Sequence, residues 1–380
     1  MNSEKKIKIT YLLEYPLDLP GGAQMSTESL CRGLAETEGY EPVVICPELL
    51  KKSAGDYPFR ILTYPMKEGR IKNLFLRAKA FRKLIAEEGP DIVHIQMPES
   101  LITYGICGMK PAKKGGPKLI FTDRGLFYGY RFHSRLLMLW ALRNAQLLLT
   151  TTLYNRRLWH KGSNIRPIEK IANTISESFG EYEPEKRAEH ERKEGDLLCI
   201  GLAGRICEEK DWPFACDLIE ALAREGLEFR VKLVLSVFEE GDDEKVKNIL
   251  SRIRAAIGEE RLEFHQDLSQ SQMQEYYYGV DVFLMTSCFE SFGKAAVEAM
   301  SRGCSVISTK AGGLPEVIGR EENLYTKEHM EKAIEYLKRA AGDREFLKSE
   351  QEYFYNRYRE CFSQEKCLRD HIEVYERILK

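Results

Sequence analysis

Apolar residues fall into two rhythms along this chain. Short, mainly apolar runs recur at IKITYLL (7–13), PVVIC (42–46), DIVHIQ (91–96), KLIFT (118–122) and QLLLTTT (146–152). Strands buried on both faces of a parallel sheet have this pattern. Between them the spacing turns helical at 23–36 and most clearly at 70–88. There Ile71, Leu74, Phe75, Ala78, Phe81 and Ile85 share one side, and Arg70, Lys72, Arg77, Lys79, Arg82 and Lys83 crowd the rest. The rhythm resumes with strands at 197–203, 229–235, 262–265 and 282–285 and helices at 243–257 and 270–278, and Leu368, Ile372 and Tyr375 give a last helix. Such alternation implies doubly wound parallel sheets, an α/β fold. A chain of 380 residues exceeds one core, so two domains are expected, 1–175 and 176–355, followed by a helical segment at 356–380. The stretch 181–196, almost without large apolar residues, reads as a solvated, mobile linker.

The densest chemistry lies in 281–315. A strand at 282–285 leads through a loop to a helix that starts near Gly293, stops at Gly303 and is apolar except for Glu298. A carboxylate on such a helix needs a partner or a ligand. Glu290 stands just before the first turn, where unpaired N–H groups and the helix dipole favour an anion. Upstream, a strand runs into Gly204 and then Arg205 and Lys210. Those two cations fall at the carboxyl edge of a parallel sheet, where open α/β sheets bind ligands. Gly312 and Gly313, ahead of a short helix, can turn N–H groups toward a phosphate. Gly21 and Gly22, between the first strand and helix, permit close approach by a ligand, and a plain tight turn is the other reading.

Composition narrows the picture. The ten cysteines are scattered without a CxxC pair, which points to reduced, mostly buried thiols and away from a zinc site. The first residues are neither a signal peptide nor a membrane span, so a cytoplasmic protein is expected. Net charge is −2 overall, yet residues 1–175 hold 27 Lys and Arg against 16 Asp and Glu, and the remainder hold 30 against 43. A basic first half suggests an anionic partner. The basic face of 70–88 could lie on an anionic membrane, placing the protein peripherally at the inner face, or could be the solvated side of a crossover helix. No basic motif interleaved with aromatics argues for nucleic acid.

Glu290-Ser291-Phe292-Gly293 with Glu298 resembles the E-x7-E signature of retaining glycosyltransferases of family 4, with the GT-B fold. Gly204-Arg205 to Lys210 resembles that family's G-R-x-x-x-x-K segment, and Gly312-Gly313-Leu314-Pro315-Glu316 its G-G-x-P-E turn. The resemblance implies two Rossmann-like domains facing across a cleft, the first for the acceptor and the second for the donor, with the last helix crossing back. It implies transfer of a sugar from a nucleotide-diphosphate sugar, UDP- rather than GDP-linked, to an acceptor hydroxyl with retention, in polysaccharide or glycolipid synthesis, with no metal and no cofactor. Glu290 would contact the donor sugar, and Ser291, Phe292 and Gly293 would offer backbone N–H groups. Lys294 would approach the donor, Glu298 would hold the ribose, and Arg205 and Lys210 would clamp the diphosphate beneath the Gly21-Gly22 loop. Where the family often carries a His, this chain has Asp123 and Arg124. Asp123 could accept hydrogen bonds from sugar hydroxyls and joins Glu290, Arg205 and Lys210 as a catalytic candidate. Arg124 could meet an acceptor phosphate or carboxylate, and His133 is the nearest substitute for the His. A lipid-linked or anionic acceptor is expected. A catalytically impaired scaffold subunit and a nucleotide-sugar epimerase are the alternatives.

Overall fold

The computed structural model describes residues 6–19, 21–66, 70–176, 179–237 and 241–380. Pro20 of the first turn and the side chains of Arg70 and Ile71 lie outside the described residues. The chain divides into two compact units, 1–177 with 364–380, and 178–363.

The first unit holds a seven-stranded parallel sheet of β1 (Ile7–Leu12), β2 (Tyr40–Pro47), β3 (Arg60–Tyr64), β4 (Ile92–Ile95), β5 (Lys118–Asp123), β6 (Leu147–Thr150) and β7 (Ile168–Lys170), in the order β3-β2-β1-β4-β5-β6-β7. Its strands are buried on both sides because alternate residues feed two cores. Ile9, Tyr11, Val44, Ile120 and Leu149 meet one layer, which includes Leu30, Leu34, Val374 and Tyr375 of the Gly22–Glu36 and Gln364–Leu379 helices. Leu12, Ile45, Val93, Ile95 and Phe121 meet the other, built on the helices Arg70–Glu88, Pro98–Ile106 and Phe132–Ala141. Each such buried side chain contributes about 1.5–3 kcal/mol.

The second unit holds β8 (Leu198–Arg205), β9 (Phe229–Ser236), β10 (Leu262–Gln266), β11 (Val282–Met285), β12 (Ser305–Thr309) and β13 (Leu324–Tyr325), all parallel, in the order β10-β9-β8-β11-β12-β13. In each sheet the order reverses beside the first strand, between β1 and β4 and between β8 and β11. Loops leaving the carboxyl ends of such a pair diverge and leave a crevice.

Three expectations change. The stretch 181–196 is no free linker: it forms the helix Pro184–Glu189, and Arg187 donates to the Tyr278 and Val280 carbonyls at 2.8 Å, while Arg192 donates to Ala341 at 2.9 Å. Its arginines hold it to the second unit by donating to backbone carbonyls there. The break expected at 356 falls inside the helix Arg344–Cys361, so the last segment begins at Gln364. On the Arg70–Glu88 helix, Arg77 is buried and bonded to Thr103 Oγ1 at 3.0 Å, whereas Phe75 is exposed. Six of the ten cysteines are buried and Cys288 is exposed.

The terminal helix is pinned by a buried polar chain. The Tyr375 hydroxyl meets Tyr11 Oη at 2.7 Å and His94 Nδ1 at 2.7 Å, and His94 Nε2 meets Thr122 Oγ1 at 2.7 Å. Burial pushes the His94 imidazole well below its usual range, so it is a neutral link. A Tyr375→Phe variant leaves Tyr11 and His94 without that partner and should lose about 1–3 kcal/mol in urea unfolding. Unchanged stability would show that the terminal helix is held by apolar contacts alone.

Candidate active site at the carboxyl edge of the second sheet

Because β8, β11 and β12 are parallel neighbours, the loops that follow them emerge at one edge. Arg205 ends β8 and Lys210 follows in a short turn, Glu290 lies in the loop after β11, and Gly312 and Gly313 lie in the turn after β12. Backbone bonds stitch the three loops together. Cys288 N donates to Glu209 O at 2.9 Å, the Thr286 hydroxyl donates to Lys210 O at 3.0 Å, and Gly313 N donates to Glu290 O at 3.0 Å. Gly312 has φ of 55°, and a Cβ there would collide with the Glu290 carbonyl oxygen. Only glycine suits both the left-handed conformation and the close approach.

The stitching places Lys210 Nζ 2.8 Å from Glu290 Oε2, with each side chain a little under one-fifth exposed. Arg205 is exposed beside them, and its backbone oxygen accepts the Trp212 indole N–H at 2.8 Å. Glu209, facing Arg205 and Lys210, is held below the usual carboxylate range, first by its own backbone N–H and the Cys207 thiol and then by the two cations. Gly293, with φ of 98°, caps the Lys294–Ser301 helix, whose first N–H groups therefore face the same edge as Glu290. Phe292 is buried edge-on against Phe362, with centroids 5.8 Å apart, and anchors the loop while Ser291 stays partly exposed. Glu298 is buried on that helix. Its carboxylate accepts the Tyr277 hydroxyl at 3.2 Å and lies 4.0 Å from Lys294 Nζ, and burial raises its pKa against the pull of Lys294.

Residues 20–179 match the family described as Glycosyltransferase Family 4, and residues 183–359 match Glycosyl transferases group 1. The two matches together follow the two units. The chain belongs to the group 1 glycosyltransferase family.

Among its relatives is a 2-deoxystreptamine glucosyltransferase of Streptomyces kanamyceticus, 29% identical over 48% of this chain and 47% of the relative. Another is the phosphatidylinositol N-acetylglucosaminyltransferase GPI3 subunit of Saccharomyces cerevisiae, 24% identical over 71% of this chain and 58% of the relative. The chain thus spans about half the length of these curated relatives. Sucrose-phosphate synthase from Thermosynechococcus elongatus superposes with a TM-score of 0.78 at 16% identity, covering 98% of this chain and 99% of that one. Anabaena HepE in complex with UDP and glucose superposes with a TM-score of 0.76 at 16% identity, covering 97% and 99%. At these identities the likeness establishes the fold, which is GT-B.

In this group 1 glycosyltransferase the first unit departs from expectation. Asp123 is fully buried, and its carboxylate accepts from Trp159 Nε1 at 2.6 Å, Asn155 Nδ2 at 2.9 Å, the Tyr130 hydroxyl at 2.6 Å and Gly125 N at 3.1 Å. With its lone pairs spent on protein donors, it is a structural anchor and is withdrawn as a catalytic and sugar-binding candidate. Arg124 does not pair with it. The Arg124 guanidinium donates to Gln96 Oε1 at 2.8 Å and to Asn173, and lines a cavity of about 170 Å³ with Thr174 and His371. His133 is exposed on the Phe132–Ala141 helix. Gly21 caps the Gly22–Glu36 helix in extended conformation, and the space beside Gly22 is open.

Sequence reasoning missed two residues. Glu209 supplies the carbonyl that hangs the Glu290 loop. Glu14, just past β1 at the first unit's strand reversal, accepts from Ser100 N at 2.6 Å and caps the Pro98–Ile106 helix, with burial raising its pKa to about 7. An acid closing the apolar run Tyr11-Leu12-Leu13 was the available signal for Glu14. Backbone roles such as that of Glu209 leave no side-chain signal.

Replacing Gly312 with Ala should lower the stability of the second unit by about 1–3 kcal/mol, from the left-handed backbone and the collision with Glu290. Gly22→Ala, at a helix start with open space, should be neutral or slightly stabilising. Chemical unfolding of both variants checks this, and equal effects would contradict it.

Proposed function

We propose that the protein transfers a hexosyl group from a nucleotide-diphosphate sugar, with UDP as the nucleotide, to an acceptor hydroxyl with retention of configuration. The observation that carries this reading is the stitched edge between β8 and β11, which holds Lys210 2.8 Å from Glu290 beside Arg205 and the N-terminus of the Lys294–Ser301 helix. Cleavage of the anomeric C–O bond leaves negative charge on the β-phosphate and positive charge on the sugar. Arg205, Lys210 and the first N–H groups of the helix that Gly293 caps are suited to hold the first, acting as fixed charge-stabilising donors. Glu290 is suited to orient the sugar hydroxyls and Glu298 the ribose hydroxyls, with Ser291, Phe292 and Lys294 completing the donor pocket. In this scheme the phosphates are neutralised by cationic side chains and no metal or cofactor takes part.

Acceptor binding is assigned to the first unit, whose excess of Lys and Arg suits a lipid-linked or otherwise anionic acceptor in glycolipid or polysaccharide synthesis. The HepE structure in complex with UDP and glucose supports the choice of UDP, and the phosphatidylinositol transferase among the relatives supports a lipid-linked acceptor. Among the described residues no helix is long and apolar enough to cross a membrane. A cytoplasmic protein working at the inner membrane face fits that acceptor.

A second reading, a binding subunit without turnover, has one observation in its favour. Where the family often carries a His, Asp123 is consumed by protein donors. Turnover of a UDP-hexose panel by wild type and by Lys210→Ala separates the two readings. The variant should lose about 10²–10³ in kcat, the typical cost of deleting one charge-stabilising donor. Nuclear magnetic resonance of the product should show the donor's anomeric configuration. A wild type that binds UDP yet turns over no donor with any lipid or sugar acceptor supports the subunit reading instead.

A further inference from the structure

Exposed apolar side chains are unevenly distributed. Of the 13 large hydrophobic residues exposed in the described structure, eight fall between Ile106 and Tyr154. Charge is skewed over the same stretch: residues 101–168 contain 12 Lys and Arg and a single acid, Asp123, which is buried and fully hydrogen-bonded. No exposed carboxylate therefore offsets the cations there.

The two features meet on the Phe132–Ala141 helix. Phe132, Leu136 and Trp140 repeat every four residues and form one stripe, with Leu137 beside it; they are 68, 52, 39 and 44% exposed. The helix buries its opposite side, Met138 and Ala141, in the core. Trp140 lies so close to Gly105 that a Cβ there would strike its ring, so exposed Ile106 adjoins the stripe. Cations accompany it along the chain: exposed Arg131 precedes Phe132, Arg143 stands 6.0 Å from the Trp140 ring centroid, and exposed Lys110, Lys113 and Lys114 follow Ile106 in sequence. The Arg135 guanidinium lies 5.8 Å from the Phe132 ring and 5.4 Å from that of Tyr128, which steadies the aromatic end.

We propose that the Phe132–Ala141 helix, with Ile106, is a docking face for an anionic lipid bilayer, its apolar stripe entering the boundary of headgroup and acyl chain while the surrounding Lys and Arg meet lipid phosphates. Two leucines and an isoleucine favour lipid over a nucleic acid, because aliphatic side chains gain little from stacked bases whereas an acyl boundary accepts them. The face also differs from the Arg70–Glu88 helix, on which Arg77, Ala78, Phe81 and Ile85 are buried and, among the described side chains, Phe75 is the exposed large apolar residue. The assignment is independent of the donor site and stands or falls without turnover.

The chain has three tryptophans, and Trp159 and Trp212 are buried, so a change in emission on docking reports Trp140. The full-length protein is mixed with vesicles of phosphatidylcholine alone or with added phosphatidylglycerol, and both sedimentation and emission are followed. The expected result is a blue shift and co-sedimentation with the anionic vesicles, weakened by salt as screening shortens. Leu136→Gln with Leu137→Gln, exposed changes that keep helix propensity and the reporter, should weaken binding at least about tenfold at an unchanged thermal midpoint. Lys79→Glu with Arg82→Glu and Lys83→Glu should retain the blue shift. The proposal is overturned if the leucine variant binds as wild type does, if the blue shift is lost only in the Arg70–Glu88 variant, or if single-stranded RNA gives the larger leucine-dependent signal.

Discussion

The loop that carries Glu290 is hung by backbone hydrogen bonds at its two ends, and the candidate site depends on them. At one end Cys288 N donates to Glu209 O, and at the other Gly313 N donates to Glu290 O. Both bonds exist because β8, β11 and β12 are adjacent and parallel, which sends three loops out of one edge. Gly312 allows the second bond, since any side chain there would occupy the space of the Glu290 carbonyl. The glycine pair, which sequence reasoning assigned to ligand contact through its N–H groups, thus has a structural duty as well: one of those N–H groups is already bonded to protein.

Electrostatics explain why such an edge can stay ready for a ligand. Lys210 and Glu290 neutralise each other at 2.8 Å, but both are partly exposed, and pairs of that kind contribute about 0–1 kcal/mol. A diphosphate that takes Lys210 and a sugar hydroxyl that takes Glu290 would therefore displace little stability. Glu298 differs. Buried on its helix with Tyr277 and Lys294 for company, it has its charged form disfavoured by burial. Vicinal hydroxyls donating to it would relieve that cost, so part of its interaction with a ribose would come from desolvation already made in folding.

Much of this was legible in the sequence because it rests on local pattern. The buried strands announced themselves as short, mainly apolar runs alternating with helical spacing. The residues around Glu290 carried a spacing that matched a known family. What escaped depends on partners distant in sequence. Asp123 looked available for a sugar until Asn155 and Trp159, more than thirty residues on, were seen to saturate it. Arg77 counted toward a basic face until Thr103 drew it inward. The stretch 181–196 looked free because it lacks apolar residues, yet its arginines bind carbonyls some ninety residues or more away. In each case a polar side chain is held by a long-range hydrogen bond, and hydropathy patterns do not encode those.

The central claim is that the edge between β8 and β11 binds a nucleotide-diphosphate sugar. Thermal unfolding of wild type and Glu298→Ala with UDP, GDP and their sugars tests it most directly. A ligand at about 100 times its dissociation constant should stabilise the folded wild type by about 2.7 kcal/mol. The account predicts stabilisation by uridine compounds that is lost in Glu298→Ala. No stabilisation of wild type by any nucleotide, or equal stabilisation of wild type and variant, would contradict it.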